Sequence, residues 1–257
     1  MFDKCFVKSS IIKLICCAFL ITTLSISLTG CNIQDIGDFS VNLTGYSKTY
    51  TIKDISRTGK NKEELVIPKE INGIQVARLG TAHTPSFHSP NLKKIFWAGD
   101  QKLLSKQIID ICPKLDTVVF TSAMPTSYKE FFSKDYAWAF ESNNKTNNLM
   151  RIILLNEVKE WMIGHEDLYF VPDYVINSPS PNVYFYYNFM NSKNSGYLWI
   201  DYLENGERLI TLPLEPTREG YEFTGWYIDQ ICTKKVNLQT IVKDDSVLSF
   251  YAGWKEI

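Results

Sequence analysis

The chain has 257 residues, of which 45% are hydrophobic and 14% aromatic, and its formal net charge at pH 7 is −1. This is the composition of a folded protein and excludes a disordered tail. The balanced charge lacks the basic excess of a nucleic-acid-binding protein, so we expect no nucleic-acid partner.

The first thirty residues have the layout of a secretory leader. Three lysines within the first thirteen residues precede an uncharged apolar run over 14–28, and Gly30 and Cys31 follow. This order of charge, apolar stretch and small residue is typical of a cleaved signal peptide. A membrane-spanning helix is the alternative, but fifteen residues reach only about 22 Å, short of the roughly 30 Å hydrocarbon core. We therefore predict export and removal of residues 1–30.

Residues 28–31, Leu-Thr-Gly-Cys, resemble the lipobox of bacterial lipoproteins. The resemblance implies cleavage between Gly30 and Cys31 and attachment of a diacylglycerol to the cysteine, with no other cofactor. One acyl chain binds a bilayer marginally, whereas two or more anchor a protein stably. We therefore expect a lipoprotein on the cell surface, with residues 31–41 as a tether. The alternative is an ordinary leader that leaves Cys31 as a free thiol.

The mature chain offers little metal or redox chemistry. Three of the six cysteines leave with the leader and lipidation uses Cys31, so only Cys112 and Cys232 remain. One distant pair does not make a disulfide framework, and apolar neighbours favour small buried side chains. His165 lacks the second histidine of a helical zinc motif, so no metal site is predicted.

Short apolar strands recur through residues 42–178 at steps of 19 to 34 residues. They are predicted at 65–68, 92–97, 115–120, 149–154 and 168–172. One strand every 20–30 residues is typical of a solenoid. Apolar stripes at helical spacing predict helices over 101–111 and 126–140 between the strands.

The best-defined unit of this series resembles a known repeat. A strand ends at Pro68, an Asn-Gly turn follows at 72–73, and a second extended piece ends at Gly80. These residues are similar to BspA-type leucine-rich repeats of bacterial surface proteins. The resemblance implies a short, irregular α/β leucine-rich-repeat solenoid over 42–178. A non-repeat α/β domain is the alternative.

One face of such a solenoid is core and the other is an exposed surface. We expect the exposed surface to bind a host or cell-envelope protein or a glycan. The candidate contacts are the aromatic residues Phe96, Trp97 and Phe120 on the predicted strands. Aromatic residues are more often core than interface, so a buried position is the competing interpretation.

Two prolines, at 179 and 181, precede a C-terminal domain at 182–257. Its signature resembles the Listeria–Bacteroides repeat, also called the internalin-type B repeat, and implies a small β-grasp-like domain. The matching residues are Pro216, Arg218, Gly220, Tyr221, Phe223, Gly225, Trp226, Tyr227, Tyr251, Ala252 and Trp254. Alternation of Tyr221 and Phe223 with polar residues indicates one buried face. We interpret the tryptophans as core anchors and the glycines as turns or close backbone contacts.

No catalytic motif stands out, so we predict a protein that is not an enzyme. A glycosidase, however, needs only two placed carboxylates, and sequence spacing does not exclude such a pair. An envelope enzyme of this kind and a purely structural envelope component are the alternatives to a lipid-anchored binding protein.

Overall fold

The computed structural model describes residues 33–81, 87–104, 109, 112–121, 151–164, 173–189, 196–237 and 241–257. The predicted leader, Gly30, Cys31, the helix expected at 126–140 and the strand expected at 168–172 lie outside these residues. The described strands are β1 (Ile33–Ile36), β2 (Phe39–Thr44), β3 (Thr49–Ile55), β4 (Glu64–Ile67), β5 (Glu70–Ile71), β6 (Ile74–Leu79), β7 (Lys94–Trp97), β8 (Lys102–Leu103), β9 (Thr117–Phe120), β10 (Arg151–Ile153), β11 (Val183–Tyr186), β12 (Tyr197–Asp201), β13 (Tyr221–Tyr227) and β14 (Leu248–Glu256). The described helices are a 3₁₀ turn (Gly59–Asn61), α1 (Asn156–Ile163) and α2 (Asp173–Ile176).

The first sheet has the order β1-β2-β3-β6-β5, with β8 beside β6. Strands β2 and β3 are antiparallel, β3 and β6 are parallel, and the β5–β6 hairpin turns at Asn72 and Gly73. Both turn residues have positive φ, which is the geometry that an Asn-Gly hairpin turn favours. The predicted tether over 31–41 therefore contains β1 and the start of β2.

The second sheet is parallel and follows the chain order β4-β7-β9-β10. Leu65 pairs with Ile95 and Ile95 with Val118, and β10 continues the ladder beside β9. These strands overlap the segments at 65–68, 92–97, 115–120 and 149–154 that the sequence predicted. All four residues of β9 are buried, as expected of a parallel sheet covered on both sides.

The predicted α/β leucine-rich-repeat solenoid is wrong, because the layer behind the parallel sheet consists of strands. Where an apolar stripe predicted a helix over 101–111, Lys102 and Leu103 form β8 and pair in parallel with Arg78 and Leu79 of β6. Leu103 is buried in this arrangement. The partner strand is distant in sequence, and such tertiary pairing overrides a local periodicity.

The third sheet is mixed and has the order β12-β11-β14-β13. Strand β14 lies between β11, to which it is parallel, and β13, to which it is antiparallel. Strands β11 and β12 form an antiparallel pair around residues 187–196. The β11–β12 pair and the β13–β14 pair are therefore joined by pairing between residues 183–186 and 248–251, which are far apart along the chain.

Two hydrophobic cores join the three sheets, and residues Gln34–Ile257 form one compact unit. The first core packs the first sheet against one side of the second, with Ile95 and Trp97 among its members. The second core packs the other side of the second sheet, including Phe96 and Val119, against the third. None of the described helices has the length and apolarity needed to cross a bilayer.

Candidate functional site

The aromatic residues predicted to contact a partner lie in the cores. Phe96, Trp97 and Phe120 have relative exposures of 0%, 2% and 2%. Trp97 stacks on Phe120 with ring centroids 5.7 Å apart, and Phe96 packs on Trp199 of the third sheet at 4.8 Å. Phe96 is therefore covered by the third sheet, whereas Trp97 and Phe120 belong to the first core, and these three side chains offer nothing to a partner.

The third sheet instead presents partly exposed tyrosine side chains, of which Tyr184 also packs against the second core. They are Tyr184, Tyr186, Tyr197, Tyr227 and Tyr251, here called the tyrosine face. All five are half-buried, and they come from the four strands β11, β12, β13 and β14. Strand pairing sets them side by side, because Tyr186 is in register with Tyr251 and Tyr251 with Tyr227.

Four of these rings contact one another. The ring of Tyr186 stacks on Tyr251 at 5.2 Å with an interplanar angle of 14°. Tyr197 lies 5.0 Å from Tyr186 and 5.2 Å from Tyr184, both measured between ring centroids. Neighbouring rings hold each other in place, so a partner meets an ordered surface rather than mobile side chains.

Alternation along the strands produces this surface. In β11 the side chains of Val183 and Phe185 are buried, whereas Tyr184 and Tyr186 between and after them point to the other side. Phe185 stacks on Phe250 at 4.7 Å in the core below. One side of the sheet thus anchors it to the second sheet, and the other carries hydroxylated rings.

Two hydroxyl groups of this surface have a pKa raised above the ordinary value for tyrosine. Burial is the main cause that raises the pKa of Tyr184 and of Tyr186, and the neighbouring tyrosine hydroxyl adds to it. A neutral phenol both donates and accepts hydrogen bonds beside an apolar ring. Rigid tyrosines of this kind provide large contact area at low entropic cost in binding surfaces.

Gly253 leaves room for the ring of Tyr227 on the tyrosine face. A Cβ atom at this position would lie 2.3 Å from Cε2 of Tyr227 and 2.4 Å from Oγ1 of Thr224. The hydroxyl groups of Tyr227 and Thr224 are 3.3 Å apart, which keeps the ring over the glycine. Absence of a side chain at 253 therefore lets Tyr227 lie flat on the sheet.

The signature residues of the C-terminal repeat hold the edge of the third sheet. The Arg218 guanidinium lies 3.5 Å from the ring centroid of Tyr221 and 5.8 Å from that of Trp254. Trp254 also packs on Phe223, and its indole N–H donates to the carbonyl of Tyr187 at 2.7 Å. These contacts are structural and leave the tyrosine face free.

Three further signature residues serve the core and the backbone. Trp226 is buried against Phe185. Gly220 has φ +75 in the turn before β13. Gly225 has φ +129 at an irregularity in the β13–β14 ladder, where the side chain of Lys235 approaches closely. A side chain at Gly225 would meet both backbone strain and Lys235.

A second site brings two acids together across the second core. Lys94 Nζ lies 3.2 Å from Asp201 Oδ1 and 3.9 Å from Glu64 Oε1. The ammonium group also donates to the carbonyl of Tyr202, and the hydroxyl of Thr211 donates to Glu64. Burial, opposed by Lys94 and reinforced by Glu64, raises the pKa of Asp201 to about 7.

This buried cluster contains two carboxylates, as a catalytic pair does, but they do not both face a groove that a substrate could enter. The adjacent groove of about 820 Å³ is lined by Glu64, whereas Asp201 does not line it and is only 3% exposed on its side chain. The single positive charge of the lysine balances one of the two carboxylates. In the part of the chain that the structure describes, no group of three His, Cys, Asp or Glu side chains is placed to hold a metal ion.

Comparison with known proteins gives one match. Residues 189–253 match the Listeria-Bacteroides repeat domain family, which confirms the C-terminal repeat predicted from its signature. The match covers β12, β13 and most of β14 and leaves the first two sheets outside it. No curated protein and no solved structure matches the chain.

Proposed function

We propose that the chain is an exported, lipid-anchored surface protein that binds a protein or glycan partner through the tyrosine face. The observation that carries the binding role is the ordered array of half-buried tyrosine rings on the outer side of the third sheet. Tyrosine is enriched in interfaces because it combines apolar area with a polar hydroxyl. The flat rings also suit the C–H faces of sugar rings.

Export and anchoring rest on the sequence. The leader ends at a lipobox-like Gly30-Cys31, and the repeat at 189–253 belongs to a class found in surface proteins. We propose no catalytic role for Glu64 and Asp201, because Lys94 pairs with both and Asp201 is buried.

The anchor is tested by a Cys31→Ala variant expressed with its leader in a bacterium that processes lipoproteins. The unaltered chain is expected to enter the detergent phase and to incorporate labelled palmitate, whereas the variant stays in the aqueous phase. Continued partition of the variant into detergent would refute lipidation at Cys31.

The binding role is tested with the mature Cys31→Ala chain on arrays of host mucin-type glycans, bacterial cell-wall glycans and purified matrix proteins. Binding to at least one class is expected, with a loss of about tenfold or more in a Tyr186→Ala/Tyr251→Ala variant. Tyr46→Ala is the matched control, because Tyr46 is exposed but lies in the first sheet. Equal loss in the control, or no loss in the double variant, would exclude the tyrosine face.

A further inference from the structure

The turn between β2 and β3 carries the most exposed aromatic side chain of the first sheet. Tyr46 is fully exposed at the tip of this turn, and Leu43, at the end of β2, is 45% exposed. Both side chains expose apolar atoms at the same end of the first sheet. Because Lys48 follows in the same turn, the tip combines an aromatic, an aliphatic and a cationic side chain.

Hydrogen bonds hold the turn in this shape. The amide of Lys48 donates to the carbonyl of Thr44 at 3.1 Å. The hydroxyl of Thr44 donates to the carbonyl of Thr49 at 2.8 Å and lies 2.7 Å from the hydroxyl of Ser47. The closed network fixes the backbone around Tyr46, so the ring is presented outward.

The predicted anchor, Cys31, precedes β1 closely in the sequence. Gln34 of β1 is three residues after Cys31 in the sequence, and three extended residues span about 10 Å. Strands β1 and β2 are joined by two residues, Gly37 and Asp38, a length that connects antiparallel strands. The start of β1 therefore lies at the same end of the first sheet as the turn at 45–48.

We infer that the β2–β3 turn, through Tyr46 and Leu43, contacts the surface of the lipid bilayer in which Cys31 is anchored. The inference rests on the proposed lipidation of Cys31. A short covalent link leaves the end of the first sheet within reach of the headgroups. Tyrosine is enriched at that level of a bilayer, and a lysine stem there reaches to the phosphates.

The contact has a consequence for the whole molecule. An acyl anchor alone leaves a protein free to rotate about its attachment. A second point of contact at Tyr46 and Leu43 fixes which end of the first sheet faces the membrane.

The test is hydroxyl-radical labelling of the lipidated full-length mature chain in vesicles of phosphatidylethanolamine and phosphatidylglycerol. The Cys31→Ala chain in buffer is the comparison. We expect Tyr46 and Leu43 to be labelled several-fold less in vesicles. Ile231 and Val247, which are exposed in the region of the third sheet, are expected to be labelled equally in both samples. Equal labelling of Tyr46 in the two samples, or its protection also in the soluble chain, would overturn the inference.

Flotation of the same vesicles distinguishes failure of the lipid anchor from failure of the membrane contact. If the unaltered chain does not float, the lipid anchor of the proposed function fails and the inference fails with it. If the chain floats and Tyr46 is labelled as in buffer, the anchor stands and only the membrane contact is refuted.

Discussion

The second and third sheets differ in how many of their sides are covered. In the parallel second sheet both sides are core, so Phe96 and Trp97 are buried although they point in opposite directions. In the mixed third sheet the inner side is core, whereas Tyr186 and Tyr251 on the other side are only half-buried among the residues that the structure describes. The difference shows that a row of aromatic residues identifies a binding surface only when no other layer covers it.

The largest expected effect on stability follows from truncating a side chain in the second sheet, which is covered on both sides. Phe96→Ala is expected to lower the free energy of unfolding by about 3–5 kcal/mol, because it removes a fully buried ring that packs on Trp199. Urea unfolding of the Cys31→Ala mature chain measures it, with Phe96→Leu as the milder variant. A loss below about 1 kcal/mol would mean that the second core is not packed as described.

The second prediction concerns the buried acid between the two sheets. The pKa of Asp201 is raised in the folded protein to about 7, so folding retains a proton that the unfolded chain loses near pH 4. The contribution of Asp201 therefore becomes less favourable as pH rises from 4 to 7 and is constant above that.

Asp201→Asn removes this dependence. The free energies of unfolding of the variant and the unaltered chain are expected to be closest at low pH and to separate as pH rises. At pH 8 the variant is expected to be more stable by roughly 2–4 kcal/mol. Unfolding curves across the pH range provide the measurement. A variant that is less stable at pH 8 would show that the ion pair with Lys94 outweighs burial of the carboxylate.

The third prediction tests whether the ring of Tyr227 packs directly on the backbone at Gly253. Gly253→Ala places a methyl group against the ring of Tyr227 and is expected to cost about 1–3 kcal/mol. Tyr227→Ser combined with Gly253→Ala is expected to cost less than the sum of the two single changes. Strict additivity in this double-mutant cycle would contradict the packing of Tyr227 over Gly253.

The smallest expected effect on stability comes from a substitution on the tyrosine face of the third sheet. Tyr251→Ala removes one stacked ring and is expected to cost only about 0.5–1.5 kcal/mol, well below Phe96→Ala. The same unfolding assay provides the comparison. A cost as large as that of Phe96→Ala would place Tyr251 in a core and would remove the distinction between the two sheets.

Local sequence pattern was sufficient for part of the fold. The segments at 92–97 and 115–120 contain strands because their β-branched and aromatic residues favour extended backbone, and the C-terminal repeat was identified from closely spaced residues such as Tyr221 and Trp226. The helix expected over 101–111 was wrong at Lys102 and Leu103, because β8 pairs with β6 through tertiary contacts.

The site depended on contacts that no local pattern contains. Phe96 is covered by Trp199, which lies more than one hundred residues later, so the strand itself gave no sign of its second covered side. The tyrosine face was missed for a similar reason. The alternation of Val183, Tyr184, Phe185 and Tyr186 was a usable signal, but only pairing with β14 brings Tyr251 beside it.

The central position of β14 in the third sheet has a consequence for export. A chain that crosses a membrane emerges from its N-terminal end, and β14, at Leu248–Glu256, arrives after every other described strand. Until it inserts between β11 and β13, the second core lacks Phe250 and Ala252. In the proposed export, folding would therefore be complete only once residue 256 had crossed the membrane.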